Sequence, residues 1–119
     1  AKGIILMAPD TIKLVSENMM IKGDVLSIAQ IAGINAAKQT SLLIPLCHNI
    51  VLDKVTVNLA IAENGITAES EIRCTGKTGV EMEALTAVSI ALLTVYDMCK
   101  AVDKNMIISN IVLTEKTKK

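Results

Sequence analysis

Hydrophobic and polar positions change period several times along the chain, and each change marks an element. Residues 3–7 form a short apolar run that reads as a strand. Pro9-Asp10-Thr11 reads as a helix start, with residues 12–18 as a short helix. Residues 19–23 connect to a second helix, Val25–Lys38, with Asp24 as its N-cap. Its apolar positions Val25, Ile28, Ala29, Ala32, Ala36 and Ala37 fall on one face. Gly33 inside it costs helix propensity and predicts close packing against a neighbour.

Residues 40–49, TSLLIPLCHN, break the periodicity. They read as an apolar loop around Pro45, of a composition that predicts burial away from water. Residues 51–62 then alternate, with Val55, Val57, Leu59 and Ile61 on one face and Lys54, Thr56 and Asn58 on the other. Asn64-Gly65 is a strong hairpin signal. Residues 66–74 alternate again, with Ile66, Ala68, Ser70, Ile72 and Cys74 inward and Thr67, Glu69, Glu71 and Arg73 outward. The pair predicts an antiparallel hairpin with one buried face.

The longest patterned stretch is residues 75–104. It opens on a Gly-punctuated turn and runs into a long helix whose charges sit near its two ends. Between residues 84 and 95 the only polar side chains are Thr86, Ser89 and Thr94. A helix apolar nearly all round belongs in a core or an interface. Asp103, Lys104 and Asn105 end it, and residues 106–115 read as a last strand. There Ile107, Ser109, Ile111 and Leu113 alternate with Ile108, Asn110, Val112 and Thr114. Strand, helix, helix, hairpin, long helix, strand predicts one α+β domain over residues 1–119. Its helices should cover one face of an antiparallel sheet, in the ferredoxin-like arrangement.

Composition adds two expectations. Hydrophobic residues make up 51% of the chain, yet Tyr96 is the single aromatic. The core is therefore aliphatic, and so much apolar surface predicts a subunit interface. No run reaches the roughly 18 apolar residues of a membrane span. Residues 1–20 lack the basic start and long apolar centre of a signal peptide. Twelve basic and twelve acidic residues cancel, so no global field points to nucleic acid or a membrane. Cys47, Cys74 and Cys99, an odd number without a CxxC pair, suggest reduced thiols in the cytoplasm. Cys47 and His48 are adjacent, which is poor spacing for two ligands of a tetrahedral ion, and no metal site is expected.

Several residues are candidates for chemistry. Gly76-Lys77-Thr78-Gly79 before a helix resembles a phosphate loop, but Glu71 stands where such a loop needs its first glycine, so a turn is expected. His48 lies in the apolar loop, where a lone His is structural or functional. Cys47 beside it is expected to pack. Lys22 before Gly23-Asp24 reads alone as a solvated lysine. Asp97 and Lys100 are three apart on a helix, so they are a surface pair or, within their apolar surroundings, an acid/base pair. Glu81 and Glu83 suit a helix N-terminus. Glu83 and Asp97 are about 21 Å apart along a straight helix. If both ends matter, the pocket is elongated or a second subunit brings the other end.

Four motifs carry a resemblance: KGDVLSIAQIAGINAAK at residues 22–38, LIPLCH at 43–48, TGKTGVEMEALTA at 75–87 and YDMCKAVDK at 96–104. Together they cover nearly the whole chain, which resembles the cyclic pyranopterin monophosphate synthase (molybdenum cofactor biosynthesis protein C) family. The resemblance implies a lyase acting on 3′,8-cyclo-7,8-dihydroguanosine 5′-triphosphate, a purine-derived triphosphate. Its products are cyclic pyranopterin monophosphate and pyrophosphate. It implies a cytoplasmic homohexamer, a trimer of dimers with sites at the dimer interface, and no nucleic-acid or membrane partner. No resident cofactor is implied, and Mg²⁺ accompanying the triphosphate stays open. By motif, Asp97 is the catalytic acid/base, Lys100 its partner, and Lys22 a phosphate contact or proton-transfer aid. Leu46, Cys47, His48, Glu81, Met82 and Glu83 line or contact the substrate, and Lys116 is a further phosphate contact. Gln30 and Gln39 depart from the family's common Arg, and Asn49 from its Pro. The tail ends KTKK instead of a Lys-Ser-Gly-Gly-Lys run. The alternative is a non-catalytic, nucleotide-binding ferredoxin-like oligomer.

Overall fold

A computed structural model describes residues 1–76 and 78–117. In chain order the elements are β1 (Lys2–Leu6), α1 (Pro9–Ser16), α2 (Val25–Lys38), α3 (Thr40–Leu43), β2 (Leu52–Ala62), β3 (Gly65–Cys74), α4 (Glu81–Cys99) and β4 (Ile107–Val112). The strands form one antiparallel sheet in the order β2-β3-β1-β4. Helices α2 and α4 pack side by side on one face of it. This is the ferredoxin-like α+β arrangement that the pattern of periods predicts.

The core lies between sheet and helices and is aliphatic. Ile5, Val57, Ile66, Val88, Leu92 and Val95 are its largest fully buried apolar side chains. Helix α4 is the central element. By length and composition it is the one described helix long and apolar enough to cross a membrane, although Thr86, Ser89, Thr94 and Asp97 interrupt its apolar run. Here its buried residues, from Glu83 through Cys99, pack on the sheet and on α2. Gly33 is the contact point between the two helices. A Cβ built there would lie 3.0 Å from the Ala87 carbonyl oxygen and 3.0 Å from Val57 Cγ1.

Asp24 caps α2 as predicted, its Oδ1 accepting from the Ser27 amide at 3.1 Å. Gln30, at a departure from the family pattern, donates to the Val57 carbonyl at 2.8 Å and pins α2 to the sheet. Ile28 belongs less to the buried face than its spacing suggested, since it is exposed. The hairpin forms with Glu63 and Asn64 at its tip and Ala62 paired to Gly65. Gly65 is required by packing: a Cβ there would overlap the Ile5 carbonyl as β1 passes alongside.

Two predicted patterns fail for identifiable reasons. Residues 40–43 are not loop but the short helix α3. Thr40 folds its hydroxyl back to the Ala36 and Ala37 carbonyls at 2.9 and 3.1 Å. That turn points the leucines outward, leaving Leu42 82% and Leu46 94% exposed in the single chain. In β4 the strict alternation breaks at Asn110, which has φ +56°. The register with β1 slips there by one residue, the signature of a β-bulge. Ile108 and Ile111 therefore both face the core, where a regular strand would place them on opposite faces.

Candidate active site

The predicted site residues separate into two clusters at opposite ends of α4. At its C-terminal end the last turn presents Asp97, and Lys100 follows at the helix cap. Lys100 Nζ lies 3.1 Å from Asp97 Oδ1. Lys22 reaches the same carboxylate from the loop between α1 and α2. Its Nζ is 3.2 Å from Asp97 Oδ2 and donates to the Asp97 backbone carbonyl at 3.3 Å. The loop has the conformation this needs. Asn18 turns the chain at φ +55°, Met20 is buried as an anchor, and Gly23 adopts φ +113° before the Asp24 cap.

All three charged groups are about half exposed. The hydrogen bond from Lys100, then the bond and charge of Lys22, hold the Asp97 carboxyl below the usual carboxylate range. Beside them lies a shallow open depression of about 430 Å³, lined by Ile90, Leu93, Thr94, Tyr96, Asp97 and Lys100. One carboxylate between two ammonium groups can bind polyanions through the cations and exchange protons through all three.

The second cluster surrounds the first turn of α4. Glu83 is 97% buried, and its Oε1 has no hydrogen-bond partner among the described residues. Cys47 donates its S–H to Glu83 Oε2 at 3.8 Å. Burial, then the adjacent Glu83 and Glu81 charges, push the Cys47 thiol up, so it keeps its proton. Leu46 and His48, on either side of Cys47, are exposed, as is Met82. Glu81 Oε1 pairs with Lys116 Nζ at 3.3 Å. Gly79 makes room for that pair: a Cβ there would strike the Glu81 carboxylate and lie 2.9 Å from Lys116 Cε. Gly76 supplies the expected turn at φ +130°. Lys77 of the same turn lies outside the described residues.

Every predicted residue thus falls in one cluster or the other, and the helix keeps the clusters apart. Sequence reasoning did not pick out Tyr96, Ile90 or Leu93 as neighbours of Asp97, although their i−1, i−7 and i−4 spacings were visible. Nor did it assign Glu83 to a buried position. The signal was there, since Glu83 begins the i, i+4 series Glu83, Ala87, Ala91, Val95 that faces inward. Among the described residues no group of three or more His, Cys, Asp or Glu side chains is placed to hold a metal ion.

The sequence profile of the MoaC family matches residues 1–119. The chain is 56% identical over 119 residues to the cyclic pyranopterin monophosphate synthase of Heliobacterium modesticaldum, covering 98% of the chain and 75% of that protein. Over 118 residues it is 56% identical to the protein of the same name from Chloroflexus aggregans, covering 98% of the chain and 72% of that protein. It is 52% identical over 117 residues to the one from Peptoclostridium acidaminophilum, covering 98% and 74%.

Proposed function

The chain belongs to the MoaC family, and we propose that it makes cyclic pyranopterin monophosphate in molybdenum cofactor biosynthesis. The substrate is 3′,8-cyclo-7,8-dihydroguanosine 5′-triphosphate, and pyrophosphate is the second product. In reaction class it is a phosphorus–oxygen lyase. The observation that carries this reading is the Lys22–Asp97–Lys100 cluster, in which one carboxylate bridges two ammonium groups beside an open depression.

The cluster suits the chemistry because the substrate competes for its cations. A triphosphate drawn to Lys22 and Lys100 takes charge-assisted hydrogen bonds that Asp97 otherwise holds. Asp97, relieved of them, gains proton affinity and can take up a proton from the substrate. The two ammonium groups meanwhile stabilise the charge that develops on the leaving pyrophosphate. Ring opening and reclosure need protons moved at the purine-derived ring, and Asp97 with Lys100 is the pair assigned to that work. Mg²⁺, where present, travels with the triphosphate as part of the substrate, and no resident cofactor is proposed.

The second cluster is assigned to substrate recognition. Leu46, Cys47, His48, Glu81, Met82 and Glu83 would line the pocket and contact the substrate, with Lys116 as a further phosphate contact. One rigid helix keeps this cluster from Asp97, so a complete pocket takes one cluster from each of two protomers. The exposed side chains of Leu42, Leu43, Leu46, Met82 and Leu93 are apolar surface that such a contact would cover. The assembly proposed is a homohexamer, a trimer of dimers with the sites at the dimer interface, working in the cytoplasm with no nucleic-acid or membrane partner.

The test is direct turnover. Purified protein is incubated with the cyclic triphosphate, and cyclic pyranopterin monophosphate and pyrophosphate are quantified together. Equal amounts of both are expected from the parent, and at least about a hundredfold less of each from Asp97→Asn or Lys100→Ala. Tight binding of the triphosphate with no product from the parent would establish a nucleotide-binding module instead.

A further inference from the structure

Asp103 is a buried carboxylate that neither cluster uses. It lies in the turn after α4 and is 8% exposed. The turn is fastened to the helix, because the amides of Val102 and Asp103 both donate to the Cys99 carbonyl, at 3.0 and 3.1 Å. Asp103 Oδ2 accepts from the Ala8 amide at 2.9 Å and from the Thr11 hydroxyl at 2.8 Å. Its Oδ1 accepts from the Asn105 amide at 3.1 Å. Thr11 is itself buried. Ala8 is the N-cap residue of α1 and has no side-chain cap to offer. The carboxylate at the start of α1 therefore comes from the far end of the chain.

A local cap would have served helix stability alone. A serine or aspartate at position 8 is the usual device. A cap delivered from the end of α4 does something else: it fixes where α1 sits relative to α4. Those are the two segments that carry the charged cluster. Asp97 and Lys100 stand on the last turn and cap of α4. Lys22 stands on the loop that α1 feeds, held to the helix by Val15 and Met20 in the core and by the Met19 amide donating to the Leu14 carbonyl at 2.8 Å. A displaced α1 carries the Lys22 backbone with it and misaligns the 3.2 Å contact between Lys22 and Asp97, and catalytic geometry tolerates displacements of only about 0.5 Å.

We propose that Asp103 is a positioning residue for the Lys22–Asp97–Lys100 cluster, pinning the start of α1 to the end of α4 so that the Lys22 ammonium meets Asp97. The inference rests on the reading of that cluster as the acid/base half of the site.

Two variants of the full chain test it: Asp103→Asn, which removes the charge and an acceptor, and Thr11→Val, which removes one donor at nearly constant volume. The first readout needs no activity. The rate at which an amine-reactive reagent labels the Lys22 ε-amine is followed by mass spectrometry. Lys54, paired with Glu71 at 3.0 Å on the sheet, is the internal reference. Lys22 labelling should rise about threefold in both variants, the scale set by loss of an exposed ion pair, with Lys54 unchanged. The second readout is steady-state turnover, where kcat should fall about tenfold or more and KM should rise as well, because the misplaced Lys22 also holds the triphosphate. Both are measured below the onset of thermal unfolding, and Thr11→Val carries the test should Asp103→Asn fail to fold. Unchanged Lys22 labelling in a folded variant overturns the proposal, and so does unchanged kcat. A parent protein that forms no product refutes the functional reading, while the labelling still decides whether Asp103 sets Lys22.

Discussion

Glu83 and Asp97 project from a single unbroken helix, fourteen residues apart, so their carboxyl groups are separated by about 21 Å along its axis. Neither can move toward the other without breaking α4, the most buried element of the fold. In the proposed assembly, a site using both takes one from each of two protomers, whereas an elongated pocket would take both from one chain. In a two-fold dimer each pocket then takes Asp97 from one chain and Glu83 from the other. An Asp97→Asn chain and a Glu83→Gln chain, each inactive alone, should restore activity when unfolded together and refolded as a mixture. The mixed dimer has one pocket with both lesions and one with none, so about a quarter of parental activity is expected from random pairing. No recovery in mixed assemblies, verified by native mass spectrometry, would place each site within one chain.

Asp97 is the best place to see whether the charged cluster persists in solution. Lys100 and then Lys22 hold its carboxyl below the usual carboxylate range. An NMR titration of the Asp97 carboxyl carbon should therefore show a midpoint below that range in the parent. The midpoint should move up in both Lys100→Ala and Lys22→Ala. Asp97→Asn should lower kcat by about two to four orders of magnitude, the range for a positioned acid/base group. Its melting temperature should hardly change, because exposed pairs contribute little to stability. A titration midpoint indifferent to both lysine variants would mean that the pairs do not form.

The fold was legible in the sequence to the extent that period alone decides an element. The α2 boundaries and the Asp24 cap were readable from local residues, as were the hairpin and the inward face of β3. Residues whose role depends on a partner far along the chain were not. Asp103 looked like a helix-ending charge, because nothing near it reveals that Ala8 and Thr11 will arrive beside it. Gly65 looked like a turn residue, yet its constraint is the Ile5 carbonyl of a strand sixty residues earlier. Asn110 could have been suspected, since asparagine tolerates a left-handed backbone better than other non-glycine residues. The regular apolar pattern around it hid the bulge. The candidate site residues came from the motifs, and helix geometry separated Glu83 from Asp97, but Lys22, Cys47 and Lys116 join their clusters through contacts far apart in the chain.

The pH dependence of folding should carry the mark of Asp103. The Ala8 amide, above all, lowers its pKa in the folded state from 3.8, burial opposes this, and the Asn105 amide and Thr11 hydroxyl add to the lowering. A carboxyl with a depressed folded pKa stabilises the fold fully above its unfolded value. That contribution is lost as pH falls through the folded value. Chemical denaturation of the parent and of Asp103→Asn should therefore differ by about 1–3 kcal/mol at neutral pH, the range for a buried charged acceptor. The gap should close as pH falls below the usual carboxylate range, about pH 4, through the folded-state value. A gap that stays constant down to pH 2 would show that the carboxylate charge is not what matters there.

Gly33→Ala sets two effects of opposite sign against each other. In an exposed helix interior the change favours folding by about 1 kcal/mol, through backbone entropy and propensity. At this position the new Cβ meets the Ala87 carbonyl oxygen and Val57 Cγ1 at 3.0 Å each, and Ala91 Cβ at 3.3 Å. The first of these is backbone in the middle of α4, so no rotamer change relieves it and the helices must part. Overpacking of that kind costs about 1–3 kcal/mol, which outweighs the propensity gain at most of that range. Parting α2 from α4 also disturbs the loop entering α2, where Lys22 sits two residues before the Asp24 cap. Gly33→Ala should therefore lower the unfolding free energy, measured by denaturant titration, and reduce kcat as well. A more stable protein would mean that the two helices cross further apart in solution than the 3.0 Å contacts require.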